Sequence, residues 1–520
     1  MGLVMFFAVR NDAPTSDEPP HILSGYVALK YGHDYIDIEH PLLIKAAGAG
    51  ILLPKGLKVD LDDPNYNSQK KDLDIGKLFK ASRNFLNYSE NDPEQILLWT
   101  RAIMILFTLL FGIVFWLLAK YLFGEIVALL AVFLYSTEPN ILAHGSLFNT
   151  DIGAAGFISL TILALVFYNR KQSLNRLIFI VLALTAAILT KFSTFYLVPL
   201  IVLFILIINF KKLKQGFLHL VFLLVSSFAI ICIFYGLIGF RDKGLSAFFP
   251  TTYFKGLKLV FDSVSEDKRF SFLLGKNYYG SKPEYFPVLL TAKTQILTLI
   301  GFFMSLIFLF LRKISLNSKE LLIILATTAS YFLLAIFSTF NIGVRHILPI
   351  YPVLIIFSSA GLVVLIKTLI KKFQLRAFLA ILFSVFVIFS FRFWSLASTY
   401  PHFLSYYNII FGGTDNGWKI ANDSNYDWGQ DVKRLAEFVR SNNIKSLAFD
   451  NFTGLYAAKD YYHLPVWQFS PSQRNYKGYV ALSTSVITYY QNQEQNYSWI
   501  INKYKPVFRA GKSIFVYNIN

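Results

Sequence analysis

The chain of 520 residues contains one cysteine, Cys232, set inside an apolar run. With no second thiol it forms no internal disulfide and no cysteine-based metal site. Charge is scarce as well: Asp, Glu, Lys and Arg make up 15% of the residues, against 55% that are hydrophobic, and mean hydropathy is positive. Soluble globular domains carry about 25% charged residues. The composition therefore excludes that class and leaves a polytopic helical membrane protein. Acidic residues are the scarcer sign, 31 against 49 basic, for a formal charge of +18. Most of the basic excess sits in short loops beside apolar runs, where membrane orientation and anionic headgroups account for it, so no nucleic-acid partner follows. No nucleotide-binding glycine loop is visible. The N-terminus lacks the basic region and small-residue cleavage site of a signal peptide, and Phe6 stands where myristoylation would want Ser or Thr.

Long apolar runs are abundant. Stretches of roughly 20 residues can cross a bilayer, and they read as 96–118, 123–135, 152–168, 177–190, 192–208, 217–238, 288–311, 321–337, 347–366 and 377–394. Crossing at each run gathers Arg170, Lys171 and Arg176, Lys211, Lys212 and Lys214, Arg312, Lys313 and Lys319, and Lys367, Lys371, Lys372 and Arg376 on one face. The positive-inside rule makes that face cytoplasmic. The other face receives Ser16-Asp17-Glu18, Glu39-His40-Pro41, Asn149-Thr150-Asp151, Tyr285-Phe286-Pro287, Arg345-His346 and the polar C-terminus. Function is expected there, at an extracytoplasmic surface, and the composition suits a bacterial or archaeal plasma membrane.

Residues 1–10 read as the last turns of a truncated first helix. Residues 11–95 form a first outer loop, too long for a simple connector. Within it, 40–53 is expected to lie along the interface as a helix, and the charged stretch 60–80 is expected to be mobile. A second outer loop, 240–287, carries Lys255, Lys258, Lys268, Arg269 and Lys276. The transmembrane domain occupies 96–396. Residues 397–520 read as a small outer α/β domain with a helix over 431–442 and strands over 445–449, 479–484 and 513–517.

Several polar residues have two readings. Asp17 and Glu18 precede Pro19-Pro20 and suit a solvated loop or a helix start. Glu39-His40-Pro41 equally suits a helix start. Asp151 follows a loop with His144 and Asn149 and leads directly into an apolar run, as a cap or as part of a site. Lys191, between two apolar runs, and Lys293, one turn inside another, either snorkel or face an anion. Arg345 beside His346 suits a salt bridge, or a phosphate bound by the planar guanidinium fork. Asp423 to Asp431 has the D-x-N-x-D spacing of a calcium loop. Gly429 at position seven and Arg434 in place of the bidentate glutamate exclude that site, leaving a helix cap at Asp431. Gly412-Gly413 reads as a turn.

Taken as an ordered set, these islands resemble the polyprenyl-phosphate-sugar-dependent glycosyltransferases of the GT-C fold, the family of the protein O-mannosyltransferases and the lipid A aminoarabinose transferase. The resemblance rests on Ser16-Asp17-Glu18 with Pro20-His21, Glu39-His40-Pro41-Leu42, Asn149-Thr150-Asp151, Leu189-Thr190-Lys191-Phe192, Tyr285-Phe286-Pro287 with Lys293-Thr294, Gly343-Val344-Arg345-His346-Ile347-Leu348-Pro349, Ser405-Tyr406-Tyr407-Asn408 and the segment Asp423 to Asp431. It implies an all-α polytopic body of about 10–11 transmembrane helices with the outer α/β domain. It further implies Asp17 as catalytic base, with Glu18 and Asp151 beside it. Arg345, His346, Lys293 and Lys191 would hold the donor phosphate, and Glu39, His40 and Tyr285 would contact other parts of the substrates. The expected partners are a polyprenyl-phosphate-linked sugar, a hydroxyl acceptor on protein, lipid or glycan, and membrane lipid. No cofactor is implied with certainty, and a divalent cation is left open. A transporter or lipid flippase, or a non-catalytic anchor for an outer binding domain, is the alternative. A transporter predicts ionisable residues at mid-bilayer, whereas here they cluster at one boundary.

Overall fold

The structure is a computed structural model that describes residues 1–520 apart from 71–72, 89, 267–268, 373–374 and 452–455. Lys268, one of the second-loop lysines, therefore lies outside the described residues. Among those described, five helices are long and apolar enough to cross a membrane: Pro93–Phe123, Asp151–Arg170, Leu213–Phe248, Ser318–Ile336 and Val344–Ile370. A sixth is a pair, Tyr285–Lys293 and Ile296–Phe310, bent by 114°. The apolar helices Glu125–Ser136, Leu174–Ile188 and Phe192–Ile208 are shorter, and Leu375–Thr399 follows the last long one.

Alternation along the bundle brings the ends 151, 188–192, 285 and 344 to one side and the basic turns near 170, 211 and 312 to the other. The helix Asp151–Arg170 is nearly all buried and carries Asp151 at the first end and Arg170, paired with Glu320 at 2.7 Å, at the second. Close helix approach depends on small residues. A Cβ at Gly361 would stand 2.2 Å from the Gly301 carbonyl oxygen, and one at Gly301 would stand 2.3 Å from Ser358 Oγ.

The first loop is folded. Pro19 and Pro20 open the helix Glu18–Tyr31, where their missing N–H groups cost nothing. The segment expected to lie along the interface forms the helix Leu42–Ala49, but it is buried within the protein. It crosses Glu18–Tyr31 so closely that a Cβ at Gly25 would meet the Lys45 carbonyl oxygen at 2.1 Å, and Ile44 sits on Gly153 of the Asp151 helix. The stretch expected to be mobile carries two helices, Pro64–Ser68 and Ile75–Leu86. Asp63 and Asp74 cap them by accepting from Asn65 N (2.8 Å) and Lys77 N (3.0 Å). Leu78, Ala81, Phe85 and Leu86 are buried at helical spacing, and this apolar stripe fixes a segment whose charge count suggested mobility.

The second loop contains an antiparallel hairpin, β1 (Phe270–Leu273) and β2 (Lys276–Tyr279). The C-terminal region holds β3 (Leu447–Asp450), β4 (Val466–Gln468), β5 (Gly478–Ser483), β6 (Phe508–Ala510) and β7 (Ile514–Ile519) in the order β4-β3-β5-β7-β6. β3 is parallel to β4 and β5, and β7 is antiparallel to β5 and β6. The helix Val432–Ser441 buries Leu435, Ala436 and Val439 with Phe449 and Val516 of the sheet. Asp431 precedes this helix but does not cap it through its side chain. Its Oδ2 accepts from Lys512 N, Ser513 N and Ser513 Oγ at 2.9–3.0 Å, and its Oδ1 accepts from Arg434 at 2.7 Å, so it ties the helix start to the β6–β7 turn.

The loop 422–431 docks this domain on the bundle. Ser424 Oγ donates to the Ile342 carbonyl, Val344 N donates to Asn425 Oδ1 and Asn425 Nδ2 donates to Tyr285 OH. The N-terminal segment joins it through Ala13 N to Gln430 O and Ser16 N to Trp428 O.

Candidate functional site

Four chain segments converge where these contacts meet. Asp17 ends the strand-like segment held by Trp428, Asp151 opens its helix, Lys191 sits at the break before the turn Phe192–Tyr196, and Arg345 and His346 lie in the turn Val344–Ile350. Arg345 Nη1 donates to Asp17 Oδ2 at 2.6 Å and stands 3.7 Å from Asp151 Oδ2. Lys191 pairs with the other Asp151 oxygen. The Trp428 ring covers the guanidinium at 4.3 Å, a cation–π contact from the C-terminal domain. Burial pushes the Asp17 carboxyl up, but Arg345 and His21 more than offset it and hold the group below its ordinary value. Asp17 is therefore an ionised acceptor, engaged by Arg345.

Asp17, Lys191, Arg345 and His346 line a cavity of about 580 Å³. The lining also holds His21, Asp37, Glu39, His40 and Arg269, together with apolar and aromatic side chains such as Phe195, Tyr196, Pro199, Tyr331, Leu334 and Ala335. Asp37 anchors the polar wall: it bonds His21 Nδ1 at 2.7 Å and accepts from Lys45 Nζ at 3.1 Å. The His40 ring meets His21 edge-on at 4.9 Å, and burial with neighbouring positive charge lowers its pKa to about 3. Burial, then repulsion from Asp37, raises the Glu39 carboxyl to about 7 despite Arg269.

Unsatisfied polar atoms concentrate here. Asp151 Oδ2, Arg345 Nε, His346 Nε2, His40 Nδ1 and both ring nitrogens of His144 are buried without a hydrogen-bond partner. Buried polar groups are normally satisfied, so a cluster of open valences beside a cavity marks where a polar ligand or water belongs. Among the described residues, no group of three or more His, Cys, Asp or Glu side chains is placed to hold a metal ion.

The structure brings Asp17, Asp151, Lys191, Arg345, His346, Glu39 and His40 together and turns three other candidates away. Glu18 is sealed beneath Asp17: it takes Arg101 in two bonds (2.8 and 2.6 Å) and Phe148 N at 3.0 Å, and lies outside the cavity lining. Lys293 donates to the Leu404 and Asn425 carbonyls and lies 4.6 Å from the Tyr407 ring, so it fastens the docking loop. Tyr285 accepts from Asn425 on the same loop. Lys191 does not snorkel outward; it points inward to Asp151. Sequence reasoning left Lys45, Arg101, Asp37, Arg269 and Trp428 unassigned. Lys45 and Arg101 each interrupt an apolar run, where an ionisable residue signals a buried partner; for Asp37 and Trp428 no such signal exists.

A multi-helix membrane body with charged groups gathered at one end of its helices, capped by a folded first loop and a small C-terminal sheet domain, is the GT-C arrangement. Residues 97–235 match the family model described as dolichyl-phosphate-mannose-protein mannosyltransferase. The chain is similar to ArnT from Cupriavidus metallidurans bound to undecaprenyl phosphate, with 13% identity, a TM-score of 0.51 and coverage of 99% of this chain and 96% of that one. The apo form of the same protein gives 14% identity, a TM-score of 0.50 and the same coverage. No curated protein matches the chain. At these identities the likeness is one of fold, and in fold the chain agrees with the resemblance drawn from its motifs.

Proposed function

We propose that the chain is a membrane glycosyltransferase that moves a sugar from a polyprenyl-phosphate donor to an acceptor hydroxyl at the extracytoplasmic face. The observation that carries this reading is one cavity whose lining combines charged groups, Asp17, Lys191 and Arg345 among them, with a larger set of apolar and aromatic side chains. An amphipathic donor has the same two parts, and the protein similar in fold is described with undecaprenyl phosphate bound.

In the resting site Arg345 is engaged by Asp17. An arriving phosphate competes for the guanidinium fork, and Asp17, freed from its cation, becomes a stronger base. It takes the acceptor hydroxyl proton, the acceptor oxygen bonds to the anomeric carbon, and the bond from that carbon to the phosphate oxygen breaks with its electron pair on the departing lipid phosphate. Attack opposite the leaving group inverts the centre. Arg345 and Lys191 stabilise the charge growing on the phosphate, and Asp151 holds both cations in place. Hexose identity, mannose included, is left to the test.

Membranes containing the chain should transfer label from a member of a panel of radiolabelled polyprenyl-phosphate sugars. Asp17→Asn, nearly isosteric, should lower the rate about 10²- to 10⁴-fold, the usual worth of a positioned general base, with insertion unchanged. Full activity in that variant would remove Asp17 from the mechanism.

A further inference from the structure

A second cavity, about 20 Å³, lies where the β1–β2 hairpin meets the C-terminal domain, lined by Phe270, Asn341, Asn422, Asp423, Ser485 and Thr488 among others. It shares walls with the large cavity: Arg269, Phe340 and Ile342 line the large one, while their chain neighbours Phe270 and Asn341 line the small one. Room of that size takes one water or one small polar group. No lysine or arginine lines it.

Asp423 sits at this slot with φ of +60, a left-handed conformation that few residues with a side chain adopt and that gathers at functional positions. Its carbonyl accepts from Tyr426 N (2.8 Å) and Asp427 N (2.9 Å), which fixes the turn. Carboxylate Oδ1 accepts from Ser424 N at 2.5 Å. Asn341 Oδ1, on another residue lining the slot, is buried without a partner. The slot thus carries a carboxylate and a buried amide oxygen that can accept from a ligand. Asp423 is also within electrostatic reach of the reacting groups: burial raises its carboxyl to about 6, with Asp17 adding to the rise and Arg345 opposing it.

We infer that Asp423 determines specificity on the acceptor side, holding with Asn341 a hydrogen-bond donor or cationic group of the acceptor while the adjacent hydroxyl reaches Asp17, and repelling anionic acceptors. The inference rests on the glycosyltransferase reading. Asp423 makes and breaks no bond; the proton still passes to Asp17 and the electron pair to the lipid phosphate.

Three two-carbon alcohols test it as surrogate acceptors in one competition at pH 7.5: ethanolamine, ethylene glycol and glycolate, which differ in charge beside the hydroxyl. The wild-type protein should glycosylate ethanolamine in preference to glycolate. Asp423→Asn and Asp423→Gly, both compatible with a left-handed residue, should each lower the ethanolamine-to-glycolate product ratio about tenfold or more, the scale of one charged hydrogen bond. A product ratio does not depend on how much protein is folded, so a purely structural role for Asp423 leaves it unmoved. An unchanged ratio in both variants overturns the inference and leaves the glycosyltransferase standing. Absence of transfer from every donor to every alcohol by the wild-type protein overturns the glycosyltransferase reading, and the inference with it.

Discussion

Asp17 and Glu18 are chain neighbours with the same functional group, and the fold gives them opposite surroundings. Glu18 is surrounded by Arg101 and two backbone N–H groups, whereas Asp17 opens on the cavity. Sequence placed both at one surface but could not separate them, because depth along a helix is legible in hydropathy and direction around it is not. The same limit applies to Lys191 and Lys293, equal in type and turned respectively toward and away from the cavity. Glu39 carries a prediction at this scale. Its folded pKa of about 7 lies above the ordinary 4.5, so between those values the folded protein keeps a proton that the unfolded chain has released. Stability contributed by this group is complete below about pH 4.5 and is lost as pH rises toward and through 7. Glu39→Gln, permanently neutral, should flatten that part of the decline in detergent melting temperature between pH 5 and pH 8. Identical slopes for variant and wild type would show that the carboxyl is not buried as described.

Helices were the most legible elements, since apolar runs of the length of a bilayer leave few alternatives, and the runs predict helices close to those found. Misreadings came where a short amphipathic stripe competes with charge. The helix Ile75–Leu86 hides four buried apolar residues within a lysine-rich stretch, and the three-residue strands β4 and β6 are too short to show alternation. Contact between elements was not legible at all. Ile296–Phe310 and Tyr351–Lys372 approach through Gly301, Ser358 and Gly361, with Ser305 alongside, the small-residue seam by which membrane helices approach closely. Because a Gly361 Cβ would meet backbone atoms, 2.2 Å from Gly301 O and 2.5 Å from Ser305 N, no side-chain rotation relieves the clash. Gly361→Ala should cost about 1–3 kcal/mol of stability, the usual price of overpacking, read as a lower melting temperature in detergent. An unchanged melting temperature would mean that the two helices are farther apart than described. The turn holding Arg345 leads directly into the second of these helices, so the seam also bears on where the guanidinium stands.

Across the whole molecule, charge is sorted by end. The helix Asp151–Arg170, about 30 Å long, joins the acidic and basic groups of the cavity to a turn rich in lysine and arginine, and the helices Leu213–Lys243 and Ser318–Ile336 begin at basic turns on that far side. One end with paired carboxylates and cations and a distal end with loops rich in lysine and arginine is the distribution that the positive-inside rule reads as orientation. On that rule the proposed orientation has the cavity and the C-terminal sheet outside the cell. Cys232 is the single cysteine, so a Cys232→Ser background makes site-specific labelling clean. In intact cells a membrane-impermeant maleimide should label Ser441→Cys, exposed at the end of the helix Val432–Ser441 in the C-terminal domain. Lys214→Cys, exposed in the first turn of the helix Leu213–Lys243, should react only after permeabilisation. The reverse pattern would put the cavity on the cytoplasmic face, where a donor presented from outside could not reach Asp17, and the proposed extracytoplasmic reaction would fall with it.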